Sequence, residues 1–157
     1  ELAMGFDGLM HFYESDSFLQ ASYAEEFVKQ TNWSSKKAYP YVVEGSGRLI
    51  EKFTSKDTVK GFTATNIGFY GPQGRVLRNS IPEADMNQNI AAFSFNGKSI
   101  TNLEMETSGI YGMSKLLGHH AVSMNAVLAN RATGEFSVDP KKLVDNLIKY
   151  CLERIVA

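Results

Sequence analysis

The segment Ile100-Thr101-Asn102-Leu103-Glu104-Met105-Glu106-Thr107-Ser108-Gly109 places two carboxylates where a predicted strand becomes a predicted helix. Residues 100–105 have the apolar character of a short buried strand. Thr107 is the expected N-cap of the helix, whose apolar face repeats at helical spacing in Ile110, Met113 and Leu117. We therefore predict a strand–turn–helix unit with acidic side chains at the carboxyl end of the strand.

Two interpretations of these acids stay open on spacing alone. Open α/β sheets bind ligands at the carboxyl ends of their strands, and a carboxylate there accepts two hydrogen bonds from a vicinal diol such as that of a ribose. Alternatively, Glu106 only stabilises the positive end of the helix dipole. If Glu106 faces the pocket, the alternation of side chains along a strand makes Met105 and Glu104 differ in direction, and the two acids need not have the same role.

The composition fits one domain of ordinary soluble type. The chain has 157 residues, of which 43% are hydrophobic and 21% are charged, and a formal net charge of −1. A net charge this close to zero does not indicate a nucleic-acid or anionic-membrane partner. No apolar run in the sequence is long enough to span a bilayer. The N-terminus lacks the pattern of a signal peptide, and the one cysteine, Cys151, is expected to be a buried thiol. We expect a cytoplasmic protein.

Alternating helix and strand patterns predict an α/β fold. A helix is expected over Ser17–Gln30, strands near Tyr41 and within Val59–Phe69, and a buried strand over Ala121–Leu128. Asn79–Asn96 is expected to be loop and short helix, and residues 95–98 a turn. The last helix begins after the N-cap Asp139 with Pro140 in its first position, and carries one continuous apolar face of Leu143, Val144, Leu147, Ile148, Cys151, Leu152 and Ile155.

Two other polar features have plainer interpretations. Gly45-Ser46-Gly47 is read as a turn rather than a phosphate-binding loop, because two glycines without the fuller strand, glycine-rich turn and helix context are weak evidence. His11, His119 and His120 are expected to be structural, since no metal-ligand spacing surrounds them.

Three loops carry side chains suited to a nucleoside. Gln73 offers a donor beside an acceptor, which matches the edge of an imide, and Arg75 adds fixed donors for a second carbonyl. Phe69 is available to pack on a base or sugar, although a core role is equally open. Glu104–Glu106 form the second set, and Asn130-Arg131, after the predicted strand, the third.

Taken in order, these pieces resemble the uridine phosphorylase branch of the nucleoside phosphorylase superfamily. The matching segments are Asp7-Gly8-Leu9-Met10-His11-Phe12, Phe69-Tyr70-Gly71-Pro72-Gln73-Gly74-Arg75, Asn102-Leu103-Glu104-Met105-Glu106-Thr107 and Ala126-Val127-Leu128-Ala129-Asn130-Arg131. The resemblance implies an α/β fold, the C-terminal part of a three-layer α/β/α phosphorylase-type domain with a mixed central sheet. Gly71-Pro72 departs from the family's Pro-Gly order.

The resemblance also implies roles for individual residues. Gln73 and Arg75 match the residues that bind the uracil edge, and Phe69 matches the aromatic residue of that pocket. Met105 and Glu106 match the ribose contacts, and Glu104 matches the first acid of the motif that lines the pocket. Leu128 and Arg131 match positions beside the base, with Arg131 acting near O4. We expect Gln73, Arg75 and Arg131 to be catalytic.

The implied reaction is phosphorolysis of uridine to uracil and ribose 1-phosphate by a pentosyltransferase. The family's phosphate site lies in an N-terminal half that has no counterpart here, so residues 1–157 are expected to be one partial domain and to be inactive alone. No cofactor is expected beyond the co-substrate phosphate, and any structural monovalent cation would bind outside this chain. The family forms dimers assembled into hexamers, and we expect a homo-oligomer that binds neither nucleic acid nor membrane.

Two alternatives to this function remain at the level of sequence. One is a purine-acting phosphorylase or a nucleosidase on the same fold, although Asn130-Arg131 stands where purine-specific relatives carry Ser-Asp, which favours a pyrimidine. The other is a non-catalytic nucleoside-binding fragment.

Overall fold

A four-stranded mixed sheet forms the centre of the molecule in the computed structural model, which describes residues 1–130 and 133–156. Its strands are β1 (Leu2–Gly5), β2 (Tyr41–Glu44), β3 (Phe62–Thr65) and β6 (Asn102–Glu104). The order of strands across the sheet is β2-β1-β3-β6. β1 is antiparallel to β2 and parallel to β3, and β3 is parallel to β6.

Helices cover both faces of this sheet, as the predicted α/β class requires. The helices are α1 (Ala21–Thr31), α2 (Gly47–Phe53), α3 (Met86–Ala92), α4 (Thr107–Leu116) and α5 (Pro140–Val156). Every residue of β1 and β3 is buried, which is the pattern of strands enclosed on both faces. The helix predicted over 17–30 is confirmed as α1, which begins four residues later and ends one residue later. The strand predicted within 59–69 is confirmed as β3.

Two hydrophobic clusters hold the layers together. On one face, Phe27 of α1, Ile90 of α3 and Phe93 pack against Val42 and Phe62 of the sheet. On the other face, Tyr111 of α4 packs with Met10, and with Ala3, Tyr41 and Val43 of the sheet. Burial of these large side chains supplies most of the driving force for folding.

Helix α4 follows the acidic strand end as predicted, but it packs through a different face. Its N-cap is Glu106, and Thr107 is its first residue. The buried positions are Thr107, Ser108, Tyr111 and Gly112, whereas Ile110 and Leu117 are largely exposed. The predicted apolar face was therefore wrong at Ile110 and Leu117, whereas Met113 is partly buried against the Tyr111 cluster. Small residues let α4 lie close to the sheet beside one large aromatic ring.

The predicted strand Ala121–Leu128 was also wrong. Residues 121–128 have no regular structure, and only two residues, Ala129–Asn130 (β7), pair with Glu135–Phe136 (β8) in a separate hairpin. A strand needs a neighbour to satisfy its backbone groups, and none of the described strands runs alongside this segment.

Helix α5 begins as its sequence predicts. The carboxylate of Asp139 accepts a hydrogen bond from the backbone N–H of Lys142 at 2.9 Å, as an N-cap does. The Tyr150 hydroxyl donates to the carbonyl of Phe53 at 2.7 Å, which ties α5 to the end of α2. None of the described residues of α5 is buried, however, and Cys151 is only half-buried. The prediction of a buried thiol was therefore wrong.

Both predicted turns are present in the structure. Asn96 and Gly97 both have positive φ, 49° and 71°, and join the two-stranded hairpin of β4 (Ser94–Phe95) and β5 (Lys98–Ser99). Gly45–Gly47 joins β2 to α2, so the strand–turn–helix context missing from the sequence pattern is present. The helix has seven residues, and the Ser46 hydroxyl lies 2.9 Å from Nδ1 of His120.

No helix in the described part of the chain is long and apolar enough to cross a membrane.

Gly5 provides a test of how tightly β1 and α4 approach. A Cβ at Gly5 would lie 2.3 Å from the Tyr41 ring and 2.6 Å from the Ser108 hydroxyl, so we expect Gly5→Ala to lower the free energy of unfolding by about 1–3 kcal/mol. A Cβ at Gly109 in α4 meets only a side-chain carbon of Leu9 at 3.5 Å, so Gly109→Ala is expected to raise stability by about 0.5–1 kcal/mol. Urea unfolding of both variants measures this pair, and equal effects would contradict the close approach.

Candidate functional site

The carboxylate of Glu104 joins two strands to helix α4. Its Oε1 accepts a hydrogen bond from the Thr65 hydroxyl at 2.6 Å. Its Oε2 accepts from the backbone N–H groups of Glu106 at 2.8 Å and Thr107 at 2.7 Å, and from the Thr107 hydroxyl at 2.9 Å. Glu104 therefore caps the free N–H groups at the start of α4 while it is held by β3.

Both carboxylate oxygens of Glu104 thus accept hydrogen bonds from the protein. The two acids were not required to have the same role, and the structure gives the helix-stabilising role to Glu104 rather than to Glu106. Four donors occupy one half-buried carboxylate, which fixes the turn between β6 and α4.

A buried hydroxyl network continues from this carboxylate into the sheet. Thr65 Oγ1 accepts from the backbone N–H of Ser108 at 2.9 Å, and the Ser108 hydroxyl lies 2.9 Å from the Tyr41 hydroxyl. Burial raises the pKa of Tyr41 well above its usual range, so Tyr41 stays protonated and available as a donor. Sequence reasoning missed Thr65, Ser108 and Tyr41, although a threonine at a strand end beside an acidic turn was a usable signal.

Glu106 and Met105 face solvent at the same turn. Both side chains are exposed, and within residues 1–130 and 133–156 the carboxylate of Glu106 accepts one long hydrogen bond, of 3.2 Å, from the backbone N–H of Met105. An exposed carboxylate on a rigidly capped helix start retains most of its acceptor capacity for a ligand.

Phe69, Gln73 and Arg75 form one cluster in the loop that follows β3. Arg75 Nη1 donates to Oε1 of Gln73 at 2.8 Å and to the carbonyl of Phe69. Its guanidinium lies 3.7 Å from the centre of the Phe69 ring. The loop thus gathers the three side chains that sequence analysis singled out here.

The backbone of this loop is held by a short 3₁₀ turn, Gly71–Gln73, and by helix α3. Gly74 has a φ of +73°, and Asn87 Nδ2 donates to the carbonyl of Gln73 at 3.0 Å. Gln73 is 4% exposed, so its amide is held inside the loop while Phe69 lies at the surface. A well-supported amide is oriented before any ligand arrives.

The loop cluster and the acidic turn leave the sheet from neighbouring strands. β3 and β6 are parallel and in register, with Thr65 opposite Glu104. The backbone N–H of Asn66 donates to the carbonyl of Glu104 at 2.8 Å, which extends the pairing one residue beyond β3. Both sets of candidate residues therefore follow the carboxyl ends of adjacent parallel strands, where α/β sheets bind ligands.

The structure describes the third predicted set, at residues 128–131, only in part. Leu128 is partly exposed, and its carbonyl accepts from the backbone N–H of Ser137 in the β7–β8 hairpin, outside the four-stranded sheet. Arg131 lies outside the described residues. The candidate site described here consequently rests on the first two sets.

Two large cavities lie against the sheet. One, of about 550 Å³, separates α5 and residues 122–127 from the amino ends of β3 and β6. The other, of about 460 Å³, is mostly apolar and lies between Phe6, Trp33, Pro82 and the loop after β3, where Ile67 and Pro72 line it. The second cavity therefore adjoins the loop that holds Gln73, although the side chains of the predicted site residues do not line it.

Comparison with known proteins identifies a solved structure with a similar fold. No family model matches the chain, and no curated protein matches it in sequence. The fold resembles the crystal structure of a Trypanosoma brucei nucleoside phosphorylase described as showing uridine phosphorylase activity, with a TM-score of 0.76 and 24% sequence identity. The match covers 98% of this chain and 54% of that one, so the chain spans about half the length of the matched structure. The chain therefore shares the α/β fold of that structure over about half of its length.

The unequal roles of the two acids predict unequal effects on stability. Glu104→Ala leaves the Thr65 hydroxyl and the first N–H groups of α4 without their acceptor, so we expect the free energy of unfolding to fall by about 2–4 kcal/mol. The matched truncation Glu106→Ala removes an exposed side chain and is expected to change stability by less than about 0.5 kcal/mol. Urea unfolding measures both, and a larger loss for Glu106→Ala would refute the assignment of the helix-capping role.

Proposed function

We propose that the open edge at the carboxyl ends of β3 and β6 binds a pyrimidine nucleoside, as part of a uridine phosphorylase. The observation that carries the proposal is that a Gln73–Arg75–Phe69 cluster and an exposed Glu106 follow the carboxyl ends of adjacent parallel strands. The fold shared with a nucleoside phosphorylase supports the same assignment.

In this proposal, the loop cluster recognises the base. The Gln73 amide offers a donor and an acceptor to the uracil edge, and the Arg75 guanidinium offers charged donors to a carbonyl of the base. Phe69 packs against the base or the sugar, with Leu128 and Arg131 beside the base. In the reaction, these donors stabilise the negative charge that develops on uracil as the glycosidic bond breaks.

The acidic turn would bind the sugar. Glu106 accepts hydrogen bonds from the ribose hydroxyls, Met105 lies beside it, and Glu104 holds the turn in place. Phosphate is the nucleophile at C1′: its oxygen forms a bond to C1′ as the bond to the base nitrogen breaks, giving ribose 1-phosphate and uracil. The side chains of this chain position the substrate and stabilise charge, and none is required as a nucleophile.

The phosphate-binding groups are proposed to lie in the half of the fold that this chain lacks. The matched phosphorylase is about twice as long, and nothing resembling the family's phosphate loop was found in the sequence. We therefore propose that the 157-residue polypeptide alone binds a nucleoside without cleaving it. In the complete protein we propose a homo-oligomer.

Binding and turnover measurements on the purified chain test this function. We expect uridine to bind more tightly than inosine by isothermal titration calorimetry, and Gln73→Ala and Arg75→Ala each to weaken uridine binding about tenfold, since each removes about 1.4 kcal/mol of polar interaction. Gln88→Ala and Arg48→Ala, which truncate exposed residues of the same types away from the site, are the controls and are expected to leave the affinity unchanged.

Substrate comparison separates the function from its alternatives. Incubation with uridine, thymidine or inosine, with and without phosphate, followed by chromatography of the free base, is expected to show no turnover by this chain alone. Phosphate-dependent release of uracil would overturn the proposed need for a second half. Tighter binding of inosine than of uridine would overturn the roles given to Gln73 and Arg75.

A further inference from the structure

The mostly apolar cavity of about 460 Å³ adjoins the loop after β3 without including the candidate site. Ile67 and Pro72 of this loop line the cavity, whereas Phe69, Gln73 and Arg75 do not. Its other apolar walls come from the end of β1, the segment after α1 and the segment that leads into α3, namely Phe6, Trp33, Ile81, Pro82 and Met86. Cavities of about 300–1,000 Å³ with apolar walls and a few polar groups are typical of small-molecule sites.

One buried polar group in the wall of this cavity has no partner. Asn66 lines the cavity and is 3% exposed, and its backbone N–H donates to the carbonyl of Glu104. Among the residues that the structure describes, its side-chain Nδ2 has no hydrogen-bond acceptor. Buried N–H groups are nearly always hydrogen-bonded, because leaving one without an acceptor costs free energy. This nitrogen is therefore placed to donate to an acceptor on a bound molecule.

The charged side chains at the cavity balance one another. Asp7 and Glu83 contribute two carboxylates, and Lys36 and Lys37 contribute two ammonium groups. Nζ of Lys37 donates to the Glu83 carboxylate and lies 4.3 Å from the centre of the Trp33 ring. The Asp7 carboxylate accepts a backbone N–H at 2.7 Å. Because the two signs cancel and burial of an ion is costly, the lining favours an uncharged molecule.

We propose that this cavity binds an uncharged small molecule that has an apolar body and one carbonyl acceptor for the Nδ2 of Asn66. Burial of the apolar body supplies the affinity, and the amide fixes the orientation of the ligand. A nucleoside suits this lining poorly, because the hydroxyls of its ribose would be buried against apolar side chains without partners. The site is therefore separate from the proposed nucleoside site and does not depend on it.

Camphor and camphene test the proposal on the unsubstituted chain. Camphor has a caged apolar body with one carbonyl, and camphene is a caged hydrocarbon of similar size without that acceptor. Trp33 is the one tryptophan in the sequence, so its indole N–H gives a single signal in a two-dimensional ¹⁵N–¹H spectrum. We expect camphor to shift this signal saturably and to bind about tenfold more tightly than camphene, since it gains one hydrogen bond to a buried group.

Substitution of Asn66 separates the effect of the amide from that of the cavity around it. Asn66→Leu retains a side chain of similar size and removes the N–H that has no acceptor. We expect camphor to bind this variant about tenfold more weakly and with no preference over camphene, while the melting temperature stays the same or rises. Asn89→Leu, at an exposed position of α3, is the matched control and is expected to leave the affinity for camphor unchanged.

Three outcomes would overturn the proposal. The Trp33 signal would show no saturable shift up to the solubility limit of camphor, or camphor and camphene would bind equally well to the unsubstituted chain. The third is a camphor-induced shift at Gln73 and Glu106 in place of Trp33, which would put camphor in the candidate site. Failure of uridine to bind bears on the proposed function and leaves these measurements unaffected.

Discussion

The four hydrogen bonds accepted by Glu104 are the constraint on which the functional edge depends. One carboxylate joins the end of β3 to the end of β6 and satisfies the first N–H groups of α4. A charged acceptor at a helix N-terminus is favourable both through its hydrogen bonds and through the helix dipole. The direction of α4, the packing of Tyr111 and the exposure of Glu106 all follow from where this carboxylate is held.

The same hydrogen bonds explain why Glu104 and Glu106 differ in role. Because Glu104 is half-buried and saturated with donors, it acts on the turn itself, whereas the exposed Glu106 two residues later remains open to a ligand. In the loop after β3, Arg75 contacts both Gln73 and Phe69 and so orients them before any ligand binds. Preorganised polar groups at a sheet edge lose little free energy when they engage a rigid base.

Local signals in the sequence were sufficient for much of the fold. The Asp139-Pro140 start of α5 and the Asn96-Gly97 turn were predictable because each depends on a few adjacent residues with strong backbone preferences. The ordered motifs around Gln73 and Glu106 located two loops that the structure brings to one sheet edge.

Other features depend on contacts that periodicity does not encode. The buried face of α4 is built from Ser108 and Gly112 as well as Tyr111, because close approach to the sheet outweighed apolar spacing. Residues 121–128 have a strand-like composition, but a strand forms only beside another strand. The sequence of the segment does not show whether such a neighbour is present. The capping role of Glu104 needed the position of Thr65, which is 39 residues distant in sequence.

The central claim is that a pyrimidine nucleoside binds across the ends of β3 and β6. Titration of the ¹⁵N-labelled chain with uridine, followed by two-dimensional NMR, tests it most directly. We predict saturable shifts in the amides of Gln73, Arg75, Met105 and Glu106, with those of helix α5 unchanged. Shifts confined to the cavity between Trp33 and Pro82, or none at the two loops at saturating uridine, would contradict the account.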